Sequence, residues 1–175
     1  MKKNKISFET SFWAGYAGGN PFKAMNAFFD FAHIDYYKQN LSQAVLYCYK
    51  KEIYKQDNPS DAFVLYSTVS SFLKICYCLK EKSKKWKVAT SSRSETVFCL
   101  SSLTKEEYEN PFMVFQKAFE EKTLEEFELF LRQILEFSLS PHTTDPDPDL
   151  TTPYIHLIKM LDAVELMRER GVEKI

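Results

Sequence analysis

The sequence predicts an all-α fold: a single domain of five to seven helices, with one short β-hairpin near residues 86–100 as its only departure. Three observations carry this. Apolar residues recur at steps of three and four over most of the chain, the period of a helix face. The four glycines are Gly15, Gly18, Gly19 and Gly171, so the interval between has little of the turn chemistry that many short strands require. At 45% hydrophobic residues, with 15 Phe, 10 Tyr and 2 Trp in 175 positions, a real core is expected.

The elements follow in order. Residues 1–19 read as an irregular N-terminal segment. Residues 20–37, NPFKAMNAFFDFAHIDYY, place Phe22, Met25, Phe29, His33 and Tyr36 on one helix face, with Asn20 as N-cap and Pro21 in the first turn. A second helix runs from about Leu41 to Lys55, with Leu41, Ala44, Val45 and Cys48 inward, and ends before Asn58-Pro59. A third opens at Pro59 or Ser60 and keeps its period from Ala62 through Leu65, Val69, Phe72 and Cys76 to about Leu79.

In residues 80–103, the pieces WKVAT and ETVFCL joined by SSRS form the expected hairpin, with a short helix capped by Ser94 as the alternative. Thr104 with Glu107 is a capping box, and Pro111 should kink or break that helix near Asn110. Thr123 with Glu126 is a second box, followed by Leu124, Phe127, Phe130, Leu131, Ile134 and Phe137 at helical spacing. Residues 140–151 read as a solvated linker. The last helix should take Thr152 as N-cap and stop at Gly171. Its first half is apolar on nearly every side, so it is either central to the bundle or part of a subunit interface.

Asn-Pro-Phe occurs at 20–22 and at 110–112, and Phe29 and Phe119 each follow seven residues later. The flanking residues match poorly, so chance recurrence is the expectation and a duplicated helical hairpin the alternative.

Charge is unevenly distributed. Residues 1–100 carry 15 Lys and Arg against 8 Asp and Glu, whereas residues 101–175 carry 8 against 16. Basic and acidic helices lying side by side, in one chain or across a dimer, are the plain reading; a basic face for an acidic partner is the sharper one. The cysteines, Cys48, Cys76, Cys78 and Cys99, have neither C-x-x-C spacing nor scaffold density, so buried thiols in a reducing, cytoplasmic setting are expected. The longest uninterrupted apolar run, residues 44–49, is too short to span a membrane.

Three stretches offer chemistry. HTTDPDPDL, residues 142–150, resembles the start of a calcium loop, but Leu150 stands where a turn glycine is needed and His156 where a bidentate Glu belongs. It reads as a linker whose charges precede a helix N-terminus. Asp30 and His33, three apart, with Tyr37 one turn on, have the spacing that helix-bundle metal enzymes use and form the candidate ligand-binding set. Lys82, Lys84, Lys85, Trp86, Lys87 and Arg93 interleave cations with a ring, the pattern of single-stranded nucleic acid binding.

Phosphate loops of the G-x-x-x-x-G-K and G-x-G-x-x-G types do not occur, and no His is spaced with Ser or Cys as in a hydrolytic triad. Arg132 and His142 are ten apart across a helix end, which argues against RNA cleavage. No cofactor and no metal is expected. The function that remains is a non-catalytic interaction or structural module, a homodimer through the last helix or the tyrosine-rich segment 36–77, or a module with another protein partner. The rivals are a ligand-binding bundle enzyme using Asp30, His33 and Tyr37, and nucleic acid binding through Lys80–Arg93.

Overall fold

A computed structural model describes residues 20–53, 60–89, 101–140 and 149–175. Within them lie seven helices and one two-stranded sheet. In chain order these are α1 (Pro21–Phe31), α2 (Ile34–Lys50), α3 (Ser60–Lys80), β1 (Trp86–Val88), α4 (Lys105–Glu109), α5 (Phe112–Glu121), α6 (Leu124–Leu139), α7 (Thr151–Arg170) and β2 (Val172–Lys174). The all-α bundle is as the apolar spacing predicts.

The helix ends follow local chemistry. Asn20 accepts the Phe22 N–H at 3.0 Å and Pro21 occupies the first turn of α1. Both capping boxes form: Thr104 and Glu107 bond reciprocally at the start of α4, Thr123 and Glu126 at the start of α6. Pro111 breaks the chain between α4 and α5, since it lacks an N–H and cannot continue the preceding helix.

Three boundaries differ from expectation. The helix predicted to reach about Lys55 ends at Lys50, where Lys51 takes a left-handed backbone conformation, φ 55°, and caps it. The helix predicted over 20–37 ends at Phe31, and His33 caps a new helix, so the segment from Ile34 joins the one predicted from Leu41. Continuous helical spacing conceals such a break, because two helices joined by two extended residues keep nearly the same apolar rhythm. At the far end, Thr152 lies inside α7 and is not its N-cap; Asp149 accepts the Thr152 N–H at 3.0 Å. Gly171 ends α7 with a φ of 81°, as its place after Arg168 and Arg170 implies.

α3 is enclosed by α1, α5 and α6, while α7 packs on α1, α2, α4 and α5. By length and composition α3 is apolar enough to cross a membrane, which a search for uninterrupted apolar runs overlooks; here it is a core helix, with Leu65, Val69, Phe72, Leu73 and Cys76 buried. α7 is likewise central, with Leu157, Met160, Leu161, Val164 and Met167 buried inside this chain, while Ile155 in its first half is exposed. Strand β1 falls where the hairpin was expected, at Trp86, and pairs antiparallel with β2 from the end of the chain, Lys87 opposite Glu173. The expected second strand of a local hairpin, the Ser94 cap and Cys99 lie outside the described residues. So do residues 1–19 and most of the 140–151 linker.

Candidate functional site

The structure separates the three residues that the sequence grouped. Asp30 is exposed in the last turn of α1. His33, in the break between helices, accepts the Asp35 N–H through Nδ1 at 3.4 Å and is likewise exposed. Tyr37 turns inward: its hydroxyl donates to the Phe28 carbonyl at 2.9 Å and its ring stacks on Phe28 at 4.1 Å. Burial pushes the Tyr37 hydroxyl well above its ordinary pKa. The i, i+3 argument needs one continuous helix, and the break at Ala32–His33 removes it.

The basic segment is also engaged. Trp86 is half-buried and its ring is tilted against the Phe22 ring, centroids 4.8 Å apart. Lys87 faces Glu173 at 3.7 Å, and Lys80 lies over the Tyr77 ring at 4.7 Å. Lys82, Lys84 and Lys85 sit in the turn before β1, and Arg93 lies outside the described residues.

Sequence reasoning missed two polar clusters. In the first, α4, α5 and α7 frame a groove of about 480 Å³ around the Glu107 carboxylate, which is 3% exposed. Lys159 reaches it at 2.8 Å, Lys117 at 3.3 Å, and the Thr104 N–H donates at 3.0 Å. Burial alone would raise its pKa, but the Lys159 hydrogen bond, the Thr104 N–H and the nearby ammonium charges outweigh that and hold it at about 2. Across the groove His156 Nε2 lies 2.8 Å from Glu121 Oε2.

In the second, buried Asp162 pairs with Lys38 and accepts both the Ser102 N–H at 2.8 Å and its hydroxyl at 2.7 Å. His33, Asp35, Glu165 and Glu169 rim this groove of about 330 Å³. One signal for it was present: Asp162 is the lone carboxylate in the apolar run MLDAV, and such a residue needs a partner.

Comparison with protein-family models, with curated proteins and with solved structures finds no match.

What the clusters do chemically follows from their wiring. The Ser102 hydroxyl donates to the Asp162 carboxylate at 2.7 Å and fixes the loop before α4 to α7. Cys48 and Cys76 are free and buried, and burial pushes the Cys48 thiol up to about 11, leaving little thiolate at neutral pH. Among the described residues no group of three or more His, Cys, Asp or Glu side chains is arranged to hold a metal ion. The charges that are most buried tie helix to helix.

Proposed function

We propose that the protein is a non-catalytic helical interaction module that associates with a second copy of itself. The observation that carries this reading is a contrast. Glu107 and Asp162, the buried carboxylates, have their partners within the chain, whereas Phe63 is 63% exposed and Leu139 55% exposed at one end of the bundle. The two share that end because the first turn of α3 and the last turn of α6 line one apolar slit, through Ala62 and Ser138. Large apolar side chains in water are unfavourable by about 1.5 kcal/mol or more each, a cost that association removes.

Sedimentation equilibrium tests this. A dimer at tens of micromolar, converted to monomer by Phe63→Ser with Leu139→Ser, supports it. A wild-type chain that stays monomeric at high micromolar concentration overturns it.

A further inference from the structure

The Asn-Pro-Phe recurrence that the sequence left to chance marks something larger. Shifting the chain by 90 positions, without a gap, lays residues 20–50 on 110–140. The identities Asn20/Asn110, Pro21/Pro111, Phe22/Phe112, Phe29/Phe119, Leu41/Leu131 and Gln43/Gln133 are scattered among differing residues, which is why the flanks looked unrelated. The structure agrees where the letters do not. Each Asn-Pro-Phe opens a short helix, two extended residues follow, and His33 and Thr123, which are equivalent, cap the long helices α2 and α6. Tyr37 and Phe127, Leu41 and Leu131, Ala44 and Ile134, Cys48 and Ser138 are buried in both.

The third helices extend the match after a one-residue insertion. At a shift of 91, Val69, Phe72, Leu73, Ile75 and Cys76 of α3 fall on Met160, Ala163, Val164, Leu166 and Met167 of α7, all buried. A strand then follows each helix, β1 starting at Trp86 after the five-residue turn 81–85 and β2 starting at Val172 directly after Gly171, so the connection is shorter in the second half.

We propose that the chain is a fused pseudo-dimer: residues 20–88 and 110–174 are two copies of one helix–helix–helix–strand unit, packed face to face about an internal two-fold axis. The more extensive helix contacts follow that symmetry, although α2 also meets α3 without an equally extensive contact of α6 with α7, and among the described residues α4 has no equivalent in the first copy. α1 meets α3 as α5 meets α7, α1 meets α7 as α5 meets α3, and α2 meets α7 as α6 meets α3. Elements related to each other by the axis meet directly: α2 meets α6, and β1 pairs with β2 in antiparallel register about Lys87 and Glu173. A two-fold interface is isologous, so the same patch is used by both partners, as here.

The copies have diverged in charge so that unlike copies attract. Among the described residues, the ion pairs Lys38 with Asp162, Lys74 with Glu128 and Lys87 with Glu173 cross the axis, and each takes the cation from the first copy and the anion from the second. Lys38 is equivalent to Glu128, and Lys74 to Glu165. Two first copies would therefore set Lys38 against Lys74, and two second copies Glu128 against Glu165. Like pairs repel, and the basic-acidic asymmetry of the sequence acquires a physical reason.

The face by which each copy meets the other is thus fitted to a second helical unit of opposite charge and is filled within the chain. The exposed Phe63 and Leu139 side chains adjoin it through one shared slit but take no part in the ion pairs that cross the axis, and sedimentation and superposition test the two proposals by different readouts. At the equivalent end stand Tyr154 and Tyr49, whose hydroxyls bond Ser42 and Thr151 at 2.8 Å each.

Two measurements on the full chain test the inference. In a crystal of the full chain, α1, α2 and α3 should superpose together on α5, α6 and α7 by a rotation of about 180°. A rotation far from that value, or a match limited to the helical hairpins, overturns it. Ala44 and Ile134 line one slit near the axis. The exchange Ala44→Ile with Ile134→Ala should melt within about 5 °C of wild type while each single change melts lower. A double variant no more stable than the worse single variant also overturns it.

Discussion

Lys159 of α7 reaches across 52 positions of sequence to the Glu107 carboxylate, Nζ to Oε2 2.8 Å. One buried carboxylate thereby caps α4 through the Thr104 N–H, ties α4 to α7 through Lys159, and holds Lys117 of α5. Three helices meet on a single charge.

Truncating that charge removes the cap on α4 and the carboxylate that Lys159 and Lys117 share, while both ammonium groups keep access to solvent. Glu107→Ala should cost about 1 to 2 kcal/mol of folding stability, the scale of a lost helix cap with a partly solvated ion pair. Urea unfolding monitored by circular dichroism measures it, and a loss below that of an ordinary surface substitution would contradict the role assigned to Glu107.

The same carboxylate sets a pH dependence. Its folded pKa of about 2 lies below its ordinary value of 4.5. A depressed folded pKa contributes stability that is complete above the unfolded value and lost as pH falls through the folded one. Asp149, held at about 2 by Lys122 and by the Thr152 N–H, acts in the same direction. The melting temperature should therefore fall between about pH 4.5 and pH 2, and Glu107→Gln should flatten that slope.

Tyr37 offers a narrower test. Tyr37→Phe keeps the stacked ring and removes only the hydroxyl that the buried Phe28 carbonyl accepts, so it should cost about 1 kcal/mol. An unchanged unfolding midpoint would mean that the hydrogen bond contributes nothing net.

Gly171→Ala isolates backbone strain. A Cβ placed there meets no atom within 4 Å, so no steric contact opposes it, but the φ of 81° disfavours any L side chain. The expected loss is about 1 to 2 kcal/mol, with the β1–β2 pairing affected first because Gly171 accepts the Ala89 N–H through its carbonyl. Amide exchange at Ala89, faster than in wild type, reads this directly.

At the centre of the bundle, Phe72→Ala should cost about 3 to 5 kcal/mol. Its ring is fully buried and stacks on Phe28 at 4.6 Å, so truncation opens a cavity that the packed helices around α3 cannot collapse. A cost near 1 kcal/mol would show that the site relaxes.

Much of the fold was legible because its signals are local. Thr104 with Glu107, Thr123 with Glu126, Asn20 before Pro21, and Gly171 after Arg170 each satisfy or stop a helix using residues within a turn of it. The polar clusters were not legible for the opposite reason. Glu107 was readable as a cap, but nothing within a turn of it names Lys159, and Asp162 is 124 positions from Lys38. The break at His33 went unread because the apolar rhythm survives it, and the candidate set of Asp30, His33 and Tyr37 rested on that rhythm.

The sequence by itself determined that the chain coils into helices, where most of them begin and end, and that its two halves differ in charge. Those are consequences of apolar period, capping chemistry and composition. Only the tertiary structure decided which helices are central and which charges meet. The reason is that a buried contact is set by distance in space: Lys38 and Asp162, like Ala44 and Ile134, become neighbours only once α2 has been laid against α6 and α7.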